Sequence, residues 1–365
     1  MNTISQKSVL LAMSGGVDSS VAMKLLKDKG FYVVGVHMLY WSENNFSENE
    51  TSNKCCSIES AQIARNIANS YDAPFYVVDC KEEFKKRVVD DFLANYSKCM
   101  TPNPCVRCNK YIKFEHLFEL AKKYGCDYVA TGHYARIKPN DADKNELCLQ
   151  RSKDLSKDQT YFLYTLTQSQ LGKIIFPIGD FEKEDIKIMA EEAGFEVFKA
   201  KKESQGVCFY SGKKIRPFLE RNLPAESVKA GEIVDLKGKV VGSHEGLPFY
   251  TIGQRKGIRV GGEEEPWVVV GMNIEKNELI VGKDSDLYET CVEARDLHFI
   301  NKKMQIQDEC DVVIRYHAKP VKGIVKKIGD DKMTIGLCEP VRAIAKGQSV
   351  VFYDGDTVIG GGLIC

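Results

Sequence analysis

Two groups of residues in this chain have the types and spacing to do chemistry. The first is Ser14-Gly15-Gly16-Val17-Asp18-Ser19, entered from the apolar run Leu10-Leu11-Ala12-Met13. Gly15 and Gly16 open backbone conformations closed to other residues. Successive N–H groups can then face one concavity, and a helix beginning near Ser19 adds the positive end of its dipole. Such a loop suits pyrophosphate; a plain turn is the competing reading. No Lys precedes the Ser, which excludes the G-x-x-x-x-G-K-[ST] loop. The second group is thiols. Cys105 and Cys108 lie in Thr101-Pro102-Asn103-Pro104-Cys105-Val106-Arg107-Cys108-Asn109, and Cys208 in Ser204-Gln205-Gly206-Val207-Cys208-Phe209. Pro102 and Pro104 force extended backbone before them. A Cys at the helix start that follows, beside Arg107, would have a stabilised thiolate.

Other readings of these cysteines compete. Cys105 and Cys108 with Cys55 and Cys56 would make four zinc ligands, although adjacent cysteines fit a tetrahedral centre poorly. A redox pair would lack its usual setting in one small βαβ domain, and simple burial is open to each. Cys80, Cys126, Cys148, Cys291, Cys310 and Cys338 stand in strand-like or apolar surroundings and are expected to be buried. His133, after Gly132 at a strand end, is expected to line the loop's ligand. His37, His116, His244, His298 and His317 are expected at the surface or internally satisfied, and no H-x-x-x-H metal spacing occurs.

The elements that must position these groups alternate. Ser8–Met13, Tyr32–Met38, Phe75–Asp79 and Tyr128–Ala130 read as strands, and Ser20–Lys29, Ile58–Asn69, Glu82–Tyr96 and Lys110–Tyr124 as helices. Alternation of this kind makes a doubly wound parallel sheet with ligands at the carboxyl strand ends. The glycine loop, His37-Met38 and Thr131-Gly132-His133-Tyr134 fall there. Ser42–Asn53 reads as a mobile insertion, and 158–194 as helical. After Cys208 glycines and short β runs take over (Glu232–Leu236, Trp267–Ile274, Glu278–Val281), with turns at Gly329-Asp330-Asp331 and Asp354-Gly355-Asp356. The reading is an α/β catalytic domain over 1–206, a small β-rich central domain over 207–284 and a C-terminal β-barrel over 285–365.

At 43% apolar and 28% charged residues, the composition is that of a soluble globular protein, with no apolar run long enough for a bilayer. The polar start shows no signal peptide, so the 13 cysteines read as thiols of a reducing, cytoplasmic compartment. Net charge is zero, which argues against a large nucleic-acid surface. Basic knots at Lys199/Lys201/Lys202, Lys213/Lys214/Arg216, Arg255/Lys256/Arg259 and Lys326/Lys327 leave room for a local basic groove.

The Ser-Gly-Gly-x-Asp-Ser loop resembles that of the PP-loop ATP pyrophosphatases. Taken with Thr-Pro-Asn-Pro-Cys-x-x-Cys-Asn, Gly-His-Tyr, Lys157-Asp158-Gln159-Thr160-Tyr161-Phe162-Leu163, Gly206-Val207-Cys208-Phe209, Tyr250-Thr251-Ile252-Gly253-Gln254-Arg255-Lys256-Gly257 and Arg315-Tyr316, it resembles the bacterial-type tRNA-specific 2-thiouridylases. The motifs cover nearly the whole chain in order. The resemblance implies ATP-dependent 2-thiolation of the wobble uridine of tRNAs for Lys, Glu and Gln, through an adenylated uridine and a cysteine persulfide, with AMP and pyrophosphate released. It implies that Ala12, Met13, Ser14, Gly15, Gly16, Val17, Asp18, Ser19, Met38 and Gly132 bind ATP with Mg2+ as substrate. Asn103, Pro104 and Cys105 would meet the target base, and Lys157, Asp158, Gln159, Arg315 and Tyr316 the tRNA. Cys108 matches the nucleophile and Cys208 the persulfide carrier, with a Cys108–Cys208 disulfide between them during turnover. Some relatives have Asp where this chain has Cys105. No bound metal centre or organic cofactor is expected. The partners are tRNA and a cysteine desulfurase or sulfur-relay protein as donor, with no membrane. The alternatives are another PP-loop adenylating enzyme or a zinc-stabilised RNA-binding module.

Overall fold

The computed structural model describes residues 6–43, 58–141, 143–198, 206–210, 214–261, 265–301 and 303–365. The chain forms two compact units, Met1–Val89 with Pro104–Lys213 and Asp356–Val358, and Asp90–Asn103 with Lys214–Gly355 and Ile359–Cys365.

In the first unit β1 (Ser8–Ala12), α1 (Val17–Asp28), β2 (Tyr32–Leu39), α2 (Ile58–Ser70), β3 (Phe75–Asp79) and α3 (Lys81–Phe84) alternate as the sequence indicates. They are followed by β4 (Tyr128–Thr131), the hairpin β5 (Ala135–Pro139) and β6 (Leu147–Arg151), and β7 (Ile174–Ile175). The sheet order is β3-β2-β1-β4-β7 and its pairings are parallel. Val9, Leu10 and Leu11 are fully buried, as a strand covered on both faces requires. Val21, Ala22 and Leu26 of α1 pack onto the same core. Gly30, at φ +79°, ends that helix as its N–H returns to Lys27 O. Ala12 is in register with Val36 on one side and Thr131 on the other. The segments following β1 and β4 and the end of β2 therefore share one carboxyl edge.

Two expectations change. The stretch 158–194 is broken: a short turn at Thr160–Phe162, a helix at Gln168–Leu171, β7, and a helix at Lys183–Glu192. Gly172, Pro177 and Gly179 interrupt it. The helix expected over Lys110–Tyr124 starts earlier, at Pro104–Arg107, and runs through a π-helical segment, Cys108–Glu115, into His116–Lys123. Most of Ser42–Asn53, together with Cys55, Cys56 and Lys199–Lys202, lies outside the described residues.

In the second unit β8 (Gly231–Asp235), β9 (Val240–His244), β10 (Val268–Asn273) and β11 (Glu278–Gly282) form a sheet of order β10-β11-β8-β9 over Ile233, Leu247, Val269 and Leu279. Then β12 (Tyr288–Phe299), β13 (Glu309–Val313), β14 (Val321–Ile328), β15 (Lys332–Arg342), β16 (Ser349–Asp354) and β17 (Thr357–Ile364) run β12-β15-β14-β13-β16-β17. Pairing of β17 with β12 closes a six-stranded barrel, which leaves no edge strand. The α/β class with a parallel sheet, a central β domain and a C-terminal barrel is thus the observed one. Strand alternation corrects the cysteine reading. Val292 and Leu337 face the barrel core, so their neighbours Cys291 and Cys338 are exposed, and Cys126 is half-buried. Cys80, Cys148 and Cys310 are buried.

Candidate active site

The glycine loop is built as the sequence requires, with the roles of its two glycines separated. Gly15 has φ +71°, and a Cβ there would lie 2.2 Å from the Ser60 carbonyl oxygen on α2. Gly16 is extended (φ −102°) and caps α1, which begins at Val17 rather than near Ser19. Its carbonyl accepts from Ser19 Oγ and Ser20 Oγ, each at 3.0 Å. Ser14 Oγ lies 3.4 Å from Ser19 Oγ. Gly132, after β4, packs against this turn so closely that a Cβ would sit 2.9 Å from Ser19 N. Met13 and Met38 are buried. His37, buried at the end of β2, holds Met13 O through Nδ1 at 2.8 Å. Burial keeps its imidazole below the ordinary pKa, hence neutral at pH 7.

Sequence reasoning missed Lys183. Its Nζ lies 2.7 Å from Asp18 Oδ1, and its side chain is only 7% exposed. Tyr134 O–H donates to the same oxygen at 2.8 Å, and Nζ stands 5.6 Å from the Tyr134 ring centroid. No local signal marks it: within 158–194, read as helical throughout, nothing shows that Lys183 opens a helix, where the dipole disfavours a cation and the Asp18 carboxylate compensates it.

The thiols lie in the same unit. Cys108 is buried, Cys105 exposed and Cys208 half-buried. Phe209, fully buried beside Cys208, packs on Phe84 of α3 with ring centroids 6.1 Å apart. The helix α3 follows Cys80 and packs against the π-helical segment that opens with Cys108. Phe209 thereby seats the Cys208 segment on the element that borders Cys108. The expected low-pKa thiol is corrected. Burial pushes the Cys108 thiol up to about 11, against the lowering charge of Lys113. Lys113 Nζ lies 3.3 Å from His133 Nε2, whose ring is buried beside Phe114, and His133 Nδ1 lies 2.6 Å from Thr131 Oγ1. Among the described residues no three His, Cys, Asp or Glu side chains gather as a metal ion would need.

The remaining sequence-selected residues divide. Asp158 is buried, and its oxygens accept from Thr160 Oγ1 (2.7 Å) and Ser152 N (3.1 Å), so the carboxylate shapes its own loop. Gln159 accepts from Tyr134 N through Oε1 at 3.0 Å, tying this loop to the Gly132–Tyr134 segment. Lys157 is partly exposed, and Pro104 begins the helix that carries Cys105. Asn103, Arg315 and Tyr316 belong to the second unit, where Arg315 and Tyr316 are exposed and the Tyr316 ring meets His317 at 4.0 Å.

Known proteins match along the whole chain. Residues 7–212 match the family described as tRNA methyl transferase HUP domain, 216–283 its PRC-barrel domain, and 289–364 the aminomethyltransferase beta-barrel domain. Proteins named tRNA-specific 2-thiouridylase MnmA are 42% identical to it. The one from Clostridium botulinum (strain Alaska E43 / Type E3) is covered over 99% of both chains, and that from Clostridioides difficile (strain 630) over 98% of both. The one from Carboxydothermus hydrogenoformans matches over 100% of this chain and 99% of its own. Matched at this identity over nearly its whole length, the chain belongs to the tRNA-specific 2-thiouridylase family of tRNA sulfurtransferases.

Proposed function

We propose that this enzyme replaces O2 of the wobble uridine with sulfur in tRNAs for Lys, Glu and Gln. The observation that carries this reading is one unit holding both a pyrophosphate-type loop, with Gly132 packed on it, and two thiol segments, Cys108 and Cys208, joined through α3. Methyl transfer, the chemistry in the matched family's description, does not cleave ATP at a pyrophosphate-type loop.

Uracil C2 is a urea-like carbonyl whose oxygen leaves poorly. O2 attacks the α-phosphorus of ATP, pyrophosphate departs, and the oxygen becomes part of an AMP leaving group. Ala12–Ser19, Met38 and Gly132 hold the nucleotide. Mg2+ accompanying ATP would offset phosphate charge; the Ser14 hydroxyl and the Asp18 carboxylate oxygen not held by Lys183 and Tyr134 would be its hard oxygen donors. A persulfide on Cys208, charged by a cysteine desulfurase or relay protein, attacks C2 through its outer sulfur, and AMP leaves with the former O2. The Cys108 thiolate then attacks Cys208 Sγ. The Cys108–Cys208 disulfide forms, the S–S bond to the outer sulfur breaks, and that sulfur remains on C2. A thiol reductant returns both cysteines, and the site of action is the cytoplasm, where such reductants and tRNA coexist. Asn103, Pro104 and Cys105 face the base, while Lys157, Arg315 and Tyr316 take the tRNA.

The test supplies unmodified tRNA, ATP and a persulfide donor, and reads nucleotide products with the mass of the tRNA. AMP, pyrophosphate and a wobble 2-thiouridine are expected. ADP with phosphate, or an unchanged tRNA, overturns the reading.

A further inference from the structure

We propose that Lys113, held by neutral His133, is the positioning residue that supplies the counter-charge for the Cys108 thiolate and ties the thiol helix to the nucleotide edge of the sheet. The inference deepens the reading above and rests on Cys108 being the nucleophile.

The geometry begins in the helix. In a π-helical segment hydrogen bonds run from i to i+5, so Cys108 and Lys113 lie about one turn apart along a common side. Lys113 does not reach solvent for its partner: its ammonium donates to His133 Nε2 at 3.3 Å. With Nε2 accepting, Nδ1 carries the proton and donates to Thr131 Oγ1 at 2.6 Å. Burial and the Lys113 charge hold His133 well below the ordinary imidazole pKa, so the ring stays neutral and leaves the full positive charge on Lys113. Thr131 and His133 flank Gly132, which packs on Ser19 of the phosphate loop. Lys113 therefore contacts the strand end that the loop rests on, while its charge acts on both Cys105 and Cys108.

The groups around Cys108 leave this role to Lys113. Cys105 and Cys80 are like-charged when ionised and oppose a second thiolate. Arg107 and Lys110 lie over the Tyr111 ring, at 4.8 and 5.0 Å from its centroid. Ionisation sends the Cys108 proton to solvent, and the sulfur anion gains Lys113 as its partner. No oxidant enters this step.

The test follows iodoacetamide alkylation of Cys108 in the intact protein against pH, with cleavage after Arg107 separating it from Cys105. Lys113→Met should move the profile to higher pH and slow alkylation at pH 8 on the order of tenfold, the effect of one pKa unit. Lys113→Arg should restore most of the rate. His133→Gln, which keeps an acceptor but loses the ring, should give an intermediate shift. An unmoved profile in Lys113→Met overturns the proposal. So does an equal shift in Lys113→Met and Lys113→Arg, which would mean lost packing rather than lost charge. Near-ultraviolet circular dichroism of each variant separates a real shift from unfolding, since an unfolded variant alkylates at the rate of the denatured wild type. The readout needs neither tRNA nor ATP, so a shifted profile in a protein that fails to thiolate leaves Lys113 as the counter-charge of the Cys108 thiolate and removes the function proposed above, while an unmoved profile in a protein that thiolates removes only the role of Lys113.

Discussion

Lys183 Nζ and Asp18 Oδ1 meet at 2.7 Å, joining the first turn of the helix after the glycine loop to the first residue of a helix far along the chain. The lysine is nearly enclosed and the aspartate about one-third exposed, so the pair is partly desolvated. Removing one member of such a pair leaves an uncompensated charge, which costs about 3–5 kcal/mol when burial is complete. Tyr134 shares the same carboxylate oxygen, which fixes its direction.

Lys183→Met and Asp18→Asn should each lower the AMP-forming kcat/KM on the order of 100-fold, equivalent to about 3 kcal/mol. The double variant should be no worse than the poorer single one, because both remove the same interaction. Losses that simply add would show that the two residues act separately.

The glycines make a sharper contrast. Gly15→Ala meets a positive φ and a backbone carbonyl 2.2 Å away, neither of which a rotamer change relieves. It should lower stability by at least about 2 kcal/mol and abolish ATP binding. Gly132→Ala presses on Ser19 N and should behave alike. Gly16→Ala is extended and meets only Ser14 Oγ at 3.4 Å, so its stability should change by less than about 1 kcal/mol. Equal melting shifts for Gly15→Ala and Gly16→Ala would refute this account of the turn.

Acid should loosen the loop edge early. His37 and His133 titrate below their unfolded value of 6.5, so the unfolded chain binds more protons as pH falls below that point. Stability is therefore complete above pH 6.5 and declines beneath it. Urea midpoints at pH 7.5 and 5.5 measure the difference, and His37→Gln should flatten part of it. A pH-independent midpoint over this window would contradict the burial argument.

The parallel sheet, its ligand edge and the β-rich second half were legible because apolar runs, glycine stops and alternation are local signals. Leu10 and Leu11 are a buried strand by composition alone. What the sequence concealed depends on distant partners. Lys183 matters only because Asp18 is opposite it, and Cys108 is pushed up rather than down because burial outweighs Lys113 and because the helix begins before it, at Pro104. The hairpin β5–β6 went unread although Ala135-Arg136-Ile137-Lys138 alternates, because the run is short and ends on Pro139. Among the basic knots, Arg216 and Arg259 both pair with Glu245, a partner that lies well away from each in sequence.

That pairing and the buried Asp158 shape a prediction for tRNA. Binding should weaken steeply with salt, and neutralising Arg315 or Lys157 should reduce the slope by about one unit each. Arg216→Gln and Arg259→Gln should change it less, since both are held by Glu245 and Arg216 also by Glu220. Asp158→Ala should lower the melting temperature, because Ser152 N and Thr160 lose their acceptor, without a change of slope. A reduced slope in Arg216→Gln as large as that in Arg315→Gln would show that the ion pair opens for RNA.

The two thiols give the most discriminating outcome. If Cys208 carries the sulfur and Cys108 resolves it, Cys108→Ser and Cys208→Ser should each lose thiolation while keeping ATP and tRNA binding. Labelled persulfide should load on Cys208 in Cys108→Ser and fail to load in Cys208→Ser. Wild type stopped after one turnover without reductant should hold a Cys108–Cys208 disulfide, seen by mass spectrometry of unreduced peptides. Cys105 lies one helical turn before Cys108 and is the exposed member of the pair, so it is the natural competitor. Cys105→Ser should nevertheless keep at least part of the activity, because Cys108 and not Cys105 opens the segment that α3 borders. A fully active Cys108→Ser with a dead Cys105→Ser would exchange the two roles. Stoichiometric zinc on both would replace the thiol chemistry with a structural site.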